Sequence, residues 1–338
     1  MKNLFIGGTG LISSACSDLA LKRGHELTLI NRSASKKHPE PEGATVIRAD
    51  VHTAEAQLAG QLAGQHFDAV VDWIAFHPDD IERDLHLFRG RTDQFVFISS
   101  ASVYQKPPRN YLITEETPLE NPFWDYSQNK IACEERLMRA NREEGFPVTI
   151  VRPTLTYGPG QIPFSVGSWA HPWTVIERMK RGKRVIVAGD GASLWVVTWN
   201  EDFAKGLVGL LGNPAAIGEA FQITSDEVLT WDQIHLEAYA ALGLEPNLIH
   251  IPSELIAAYW PHAVGSLIGD KSNSVAFDNS KIKAAVPDFG CKVNWAVGLR
   301  RVLAWYEAHP EFQTFDAEFD ALCDTLVAAQ ERAYPSRS

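Results

Sequence analysis

The chain has 338 residues, 45% of them hydrophobic, and carries a formal net charge of -11 with a pI near 5.5. That length and apolar content can bury one large core or two unequal domains, while the acidic balance leaves no general basic surface to hold a nucleic-acid backbone. Four widely separated cysteines, Cys16, Cys133, Cys291 and Cys323, form neither a paired metal-ligand spacing nor a disulfide framework, and the 11 histidines show no zinc-site grouping, so a metal-free protein of a reducing cytoplasm is expected.

Met1-Lys2-Asn3 passes directly into Leu4-Phe5-Ile6 and a glycine cluster, without the apolar stretch and cleavage site of a signal peptide. No run of about 18 apolar residues marks a membrane span. Along the first half, short apolar runs at Leu4–Ile6, Leu27–Ile30, Val46–Arg48, Ala69–Trp73, Phe95–Ser99 and Val148–Arg152 read as strands. Segments such as Ile12–Arg23 and Ile131–Glu144 are long enough for crossover helices. Near-continuous apolar strands separated by helices predict an α/β fold, a doubly wound parallel sheet covered on both faces, with ligands at the carboxyl ends of the strands.

Gly7-Gly8-Thr9-Gly10 lies between the first strand and the first helix. Glycines there allow a tight turn and close approach of backbone N–H groups to a pyrophosphate on the positive end of the helix dipole. Leu11 and Ile12 open that helix, and Ser13 replaces the third glycine of the usual fingerprint, which predicts slightly looser packing of helix on strand. The second strand ends in Asn31-Arg32-Ser33, without the acid that usually holds a ribose hydroxyl in NAD-preferring proteins. Arg32 suits a 2'-phosphate, which favours NADP over NAD; stacking on adenine or exposure to solvent is the alternative. Asp50 can reach the adenine amino group or cap the helix expected over Thr53–Leu62. Val51, Ile74, Ala75 and Pro153, at further strand ends, complete the expected coenzyme contacts.

The fifth strand runs into Ser99-Ser100-Ala101-Ser102-Val103-Tyr104, and Tyr126 and Lys130 stand four apart on one helix face. An ammonium beside a phenol favours phenolate, which makes Tyr126 a usable acid and base. Ser100 can hydrogen-bond the same substrate oxygen. Ser99 and Ser102 read as strand-end hydrogen bonders, with Ser102 and Trp124 placed as substrate contacts. His77 reads as the start of a helix.

After Pro153 the strand and helix alternation loosens, so a smaller, mainly helical substrate domain is expected over 153–338, beside a dinucleotide-binding domain over 1–152 to which 194–224 returns. Helices are expected at Trp173–Arg181 and Trp231–Leu242. Phe312, Phe315, Phe319, Leu322 and Leu326 recur at helical spacing, and that tail helix can pack on the body or on a second subunit.

In order along the chain, the Gly7–Gly10 loop, the serine strand ending at Val103-Tyr104, the Tyr126/Lys130 pair, Arg152-Pro153 with Tyr157-Gly158-Pro159, and Gly189-Asp190-Gly191 resemble the extended short-chain dehydrogenase/reductases of the NAD-dependent epimerase/dehydratase family, from Met1 to about Tyr306. The resemblance implies a Rossmann sheet and an NAD(P)-dependent oxidoreductase or epimerase acting on a small sugar-like substrate. It also implies Tyr126 as general acid/base, Lys130 on the nicotinamide ribose, Ser100 orienting the substrate, Tyr157 as a substrate contact, and a homodimer.

Three departures narrow this. Ala101-Ser102 stand where dehydratases carry Asp-Glu, and Leu155 and Trp195 stand where nucleotide-sugar members hold a diphosphate. Weak diphosphate binding is therefore expected, with the substrate stacking on Trp195 or on a neighbour among Trp73, Trp124, Trp169, Trp173 and Trp199; core packing is the alternative for at least half of these tryptophans. A conventional nucleotide-sugar 4-epimerase, a reductase of an apolar carbonyl compound and a non-catalytic protein like the chloroplast stem-loop RNA-binding proteins remain the alternatives.

Overall fold

A computed structural model describes residues 1–333; residues 334–338, within the expected substrate domain, lie outside the described residues. Seven strands, Lys2–Ile6 (β1), Glu26–Asn31 (β2), Thr45–Arg48 (β3), Ala69–Asp72 (β4), Phe95–Ile98 (β5), Val148–Pro153 (β6) and Glu219–Ile223 (β7), form one parallel sheet. Its order is β7-β6-β5-β4-β1-β2-β3. Because side chains alternate along a strand, Leu4, Ile6, Val70, Phe95, Phe97 and Ile150 enter one core and Phe5, Leu29, Val71, Val96, Ile98 and Val151 the other. Both faces are buried, which is why the strands read as continuous apolar runs.

The α-helices up to residue 242 are Leu11–Lys22 (α1), Glu55–Gln61 (α2), Pro78–Phe88 (α3), Asp125–Glu144 (α4), Trp173–Lys180 (α5), Asn200–Leu210 (α6) and Trp231–Leu242 (α7), and a further long helix spans Trp295–Ala308. Leu58 of α2, Leu85 of α3 and Leu137 of α4 close the first core. Cys16 and Ala20 of α1 and Phe203 and Leu207 of α6 close the second. Strand order reverses between β1 and β4, so the crevice at their carboxyl ends is the switch point where such sheets bind ligands. Helix α2 begins two residues later than expected, at Glu55. Asp50 does not cap it: its carboxylate accepts the His52 N–H at 3.1 Å and lies 3.6 Å from Arg32.

The remaining segments gather around a third core containing Trp173, Ile176, Val187, Trp195, Trp231, Tyr239, Tyr306 and Leu326. Short parallel pairs, Leu155–Tyr157 with Val197–Trp199 and Val185–Ala188 with Leu248–Ile251, brace it. The tail helix spans Ala317–Arg332 and packs on the body of its own chain. Phe319 meets Trp260 at 5.6 Å, and Lys183 donates to Asp320 and Asp324 at 2.7 Å. Phe312 and Phe315 precede that helix, because Pro310 places Phe312 in a separate short turn.

Candidate active site

The glycine loop is shaped by close approach. Gly7 has φ +87°, and a Cβ on Gly8 would lie 2.4 Å from Leu29. The N–H groups of Gly7, Gly8 and Gly10 are bound within the protein, to Ile30 O, Asn31 Oδ1 and Ser13 Oγ. Donors for a pyrophosphate are therefore left to the mouth of α1, at Leu11 and Ile12, where the helix start supplies no intrahelical acceptor. No acidic residue occupies the first turn of α1. This cradle fits a dinucleotide phosphate, with Thr9 half-buried and Gly10 exposed beside it.

Ser13 acts opposite to the sequence expectation of looser packing. It is buried, and its hydroxyl donates to Gly7 O at 2.8 Å while accepting the Gly10 N–H at 2.7 Å, so the serine laces the loop shut. Asn31 is likewise committed to the protein, its amide donating to Glu40 at 3.0 Å. Arg48 pairs with the same Glu40 through both guanidinium nitrogens, at 2.5 and 2.6 Å. Arg32 extends into solvent beyond them, its side chain 76% exposed. Val51 is buried beneath this edge.

On the far side of the switch point, Asp72 at the end of β4 accepts the N–H groups of Ile74 and Ala75 at 2.6 and 2.9 Å. The Ala75 carbonyl in turn accepts Lys130 Nζ at 2.7 Å, as does Ile98 O. Lys130 is buried under the rings of Phe76 and Phe97, and burial pulls its pKa down to about 8. Tyr126, one helical turn earlier, packs against Trp124 at 4.9 Å and Phe76 at 6.2 Å. Burial pushes its phenol up, a hydrogen bond with Ser100 pulls it back, and the charge of Asp270 raises it again. The Ser100 and Ser102 hydroxyls are 2.9 Å apart, and Ser127 donates to Ser102 at 2.8 Å. The Asn121 amide ties this turn to the substrate side, donating 2.8 Å bonds to both Ser102 O and Gly269 O.

Tyr126, Ser100, Ser102, Trp124, Pro153, Leu155 and Trp195 all line one cavity of about 590 Å³, within the usual range of small-ligand sites. Phe76, Phe164, Trp260 and Phe277 make most of its wall apolar. Tyr157 is not among the lining residues. Its ring is buried between Trp199 and Trp295, at 5.3 and 5.0 Å, and its hydroxyl donates to Asn294 O. Trp173 and Trp199 are core residues too, whereas Trp169 stands at the cavity and is 69% exposed. Asp270 and Lys271 line the wall as well, and Lys106 Nζ lies 3.3 Å from Asp270. Lys106 and Asp270 lie far apart in the chain, and a pair brought together by distant loops has no local periodicity to announce it.

A helix mouth that fits a phosphate at the switch point, beside a tyrosine and lysine on the next wall, is the arrangement of a nicotinamide-dinucleotide enzyme of the short-chain dehydrogenase type. The chain belongs to the NAD dependent epimerase/dehydratase family, whose sequence profile matches residues 4–224. It is 26% identical over 261 residues to the chloroplast stem-loop binding protein of 41 kDa b of Arabidopsis thaliana, covering 74% of this chain and 65% of that one. It is 25% identical over 334 residues to a UDP-N-acetyl-alpha-D-glucosaminuronate decarboxylase of Bacillus cytotoxicus, covering 90% and 97%. The fold is that of a UDP-glucuronic acid 4-epimerase from Bacillus cereus solved with NAD, with TM-score 0.71 and 20% identity over 94% of this chain and 100% of that one. Among the described residues no helix is long and apolar enough to cross a membrane.

Proposed function

We propose that the protein moves a hydride at a hydroxyl or carbonyl carbon of a small, cyclic, sugar-like substrate, with Tyr126 as general acid/base and NADP(H) as the favoured coenzyme. The observation that carries this reading is that Tyr126 and Ser100 line the same cavity, beside the switch-point crevice. The bound nicotinamide supplies or accepts the hydride. In the reducing direction Tyr126 gives its proton to the substrate oxygen, Ser100 donates a hydrogen bond to that oxygen, and the Lys130 ammonium stabilises the phenolate left behind. Reprotonation of Tyr126 from solvent closes the cycle. In the oxidising direction the phenolate takes the hydroxyl proton.

Coenzyme choice rests on Arg32. Glu40, which accepts from Asn31 at the end of β2, is paired with Arg48, and Asp50 is paired with the exposed Arg32 at 3.6 Å, so a 2'-phosphate would meet Arg32 where both neighbouring carboxylates already have a cation. The domain division we favour narrows the returning segment from 194–224 to 200–223 and joins it to residues 1–152, since α6 covers the sheet and β7 extends it, while Trp195, Val197 and Trp199 belong to the third core. Leu155 and Trp195 both face the cavity, which supports weak binding of free UDP, GDP and dTDP. The apolar wall also favours a second reading, reduction of a less polar cyclic carbonyl compound.

The decisive experiment is turnover on a carbonyl and sugar panel with each coenzyme, combined with mass spectrometry of ligands released from the purified protein. Turnover with bound dinucleotide is expected. RNA retained at physiological salt with no turnover would overturn the catalytic reading, and micromolar displacement by a nucleoside diphosphate outside the coenzyme site would favour a nucleotide-sugar epimerase.

A further inference from the structure

The cavity wall that holds Asp270 and Lys271 has an unbalanced charge. Among the residues lining the cavity the ionisable ones are Tyr126, Asp270 and Lys271, with no arginine or histidine. Asp270 already has a cation, the buried Lys106, at 3.3 Å. Among the described residues Lys271 forms no ion pair with a carboxylate: its Nζ makes a 3.2 Å bond to the Ser266 carbonyl. It is the one lining cation, and an ammonium in a largely apolar wall is costly unless an anion joins it. Burial and the nearby Lys106 both pull its pKa down, with Asp270 opposing.

A second, independent feature points to the same place. The indole N–H of Trp195 is buried and has no hydrogen-bond acceptor among the described residues, although Trp195 lines the cavity and its ring is fixed by stacking on Trp231 at 5.4 Å. Buried donors are almost always satisfied, so an orphan one in a ligand cavity marks where a ligand acceptor belongs. Lys106 Nζ lies 5.7 Å from the centre of the Trp195 ring, and the Trp231 indole N–H, on the ring stacked against Trp195, donates to Lys271 O at 3.0 Å, so residues 106 and 271 both border the orphan donor.

We propose that Lys271 and the Trp195 indole N–H form an anion subsite that takes one carboxylate group of the substrate, so that the natural substrate is a hydroxy or oxo carboxylic acid with a cyclic or apolar body. One uncompensated ammonium matches one carboxylate. It leaves a diphosphate with charge unpaired in an apolar wall. Lys106 acts as a positioning residue, neutralising Asp270 so that the carboxylate of the substrate is not repelled. The inference rests on the reading that Tyr126 faces the reacting oxygen, since both groups line the same cavity.

The test compares matched pairs that differ in the carboxylate: 3-hydroxyoctanoate against its methyl ester, and glucuronate against glucose. Affinities are measured by calorimetry on protein saturated with coenzyme, using the Tyr126→Phe variant to prevent turnover. In at least one pair the acid should bind about tenfold or more tightly than its neutral partner, as expected for a charge-assisted contact. Lys271→Met should remove that preference. Trp195→Phe, which keeps a ring against Trp231 and removes the N–H, should weaken the acid several-fold more than the neutral compound, and it carries the test if Lys271→Met does not fold. Absence of a preference in both pairs, a preference that survives Lys271→Met, or equal weakening of both compounds by Trp195→Phe would overturn the subsite. Failure of the catalytic reading is separately visible: undiminished turnover by Tyr126→Phe removes the acid/base assignment and leaves the carboxylate preference standing.

Discussion

The ammonium of Lys130 donates a 2.7 Å hydrogen bond to the carbonyl of Ala75, a residue whose own N–H is held by Asp72. One side chain therefore fixes the turn after β4 and at the same time sets a positive charge below the Tyr126 ring, 5.9 Å from its centre. Removing that ammonium should disturb the coenzyme side and the proton side together. Lys130→Met is expected to weaken coenzyme binding and lower the rate. Tyr126→Phe should keep coenzyme affinity and lose about 100- to 10,000-fold in turnover. Coenzyme titrations beside steady-state kinetics check both, and equal effects of the two variants on coenzyme affinity would contradict the division of roles.

A pH dependence follows from the same lysine. With its pKa drawn down to about 8 by burial, Lys130 is charged at neutral pH and loses its proton as pH rises through that value. Burial holds the Tyr126 phenol protonated over this range, so the loss of lysine charge is what limits reduction. The reducing-direction kcat/KM should fall as pH rises through about 8, and Lys130→Arg, which stays charged, should shift the falling limb upward. A profile unchanged in Lys130→Arg would assign the limb to another group.

For the coenzyme, Arg32→Ala should cost NADP(H) about 1.5 to 3 kcal/mol of binding, the usual loss of a charge-assisted contact, and leave NAD(H) nearly unaffected. Calorimetry of the unmodified protein that finds NAD bound more tightly would retire the preference.

Stability offers a contrast between two ion pairs. Arg152 of β6 donates to Glu134 of α4 at 3.1 and 2.6 Å, with both side chains buried. Glu134→Ala strands the guanidinium in the core and should cost about 3 to 5 kcal/mol. Arg136 and Glu82 make a similar pair at 2.5 Å, with Glu82 57% exposed, and Glu82→Ala should cost about 1 kcal/mol or less. Urea denaturation midpoints of the two variants, compared at constant slope, decide it.

The sheet was largely legible in the amino-acid order because its strands are buried on both faces, and runs such as Phe95–Ile98 have no other reading beside helical neighbours. The glycine loop was legible for a similar reason: its position between strand and helix carries the information. Side-chain direction was not. Tyr157 follows a strand end close to the cavity in sequence, yet its ring turns toward Trp199 and Trp295, a choice made by packing partners far along the chain. The effect of Ser13 inverted because a hydroxyl can join two backbone groups that glycine would leave apart. Lys106 and Asp270 meet only through tertiary structure, so no spacing rule could pair them.

Strand β7 has a consequence for how the molecule is made. It pairs with β6 at the sheet edge, and α6, just before it, lies on α1, but both are synthesised after Leu155–Tyr157 and α5 have entered the other half. A chain truncated after Pro153 would leave β6 without its outer neighbour and the Cys16–Ala20 face of α1 open to water. On the ribosome, the coenzyme-binding half cannot close when its first six strands have emerged. It must hold an unpaired, apolar edge until Ile223 is clear of the exit tunnel, and that interval is when this chain is most exposed to wrong partners.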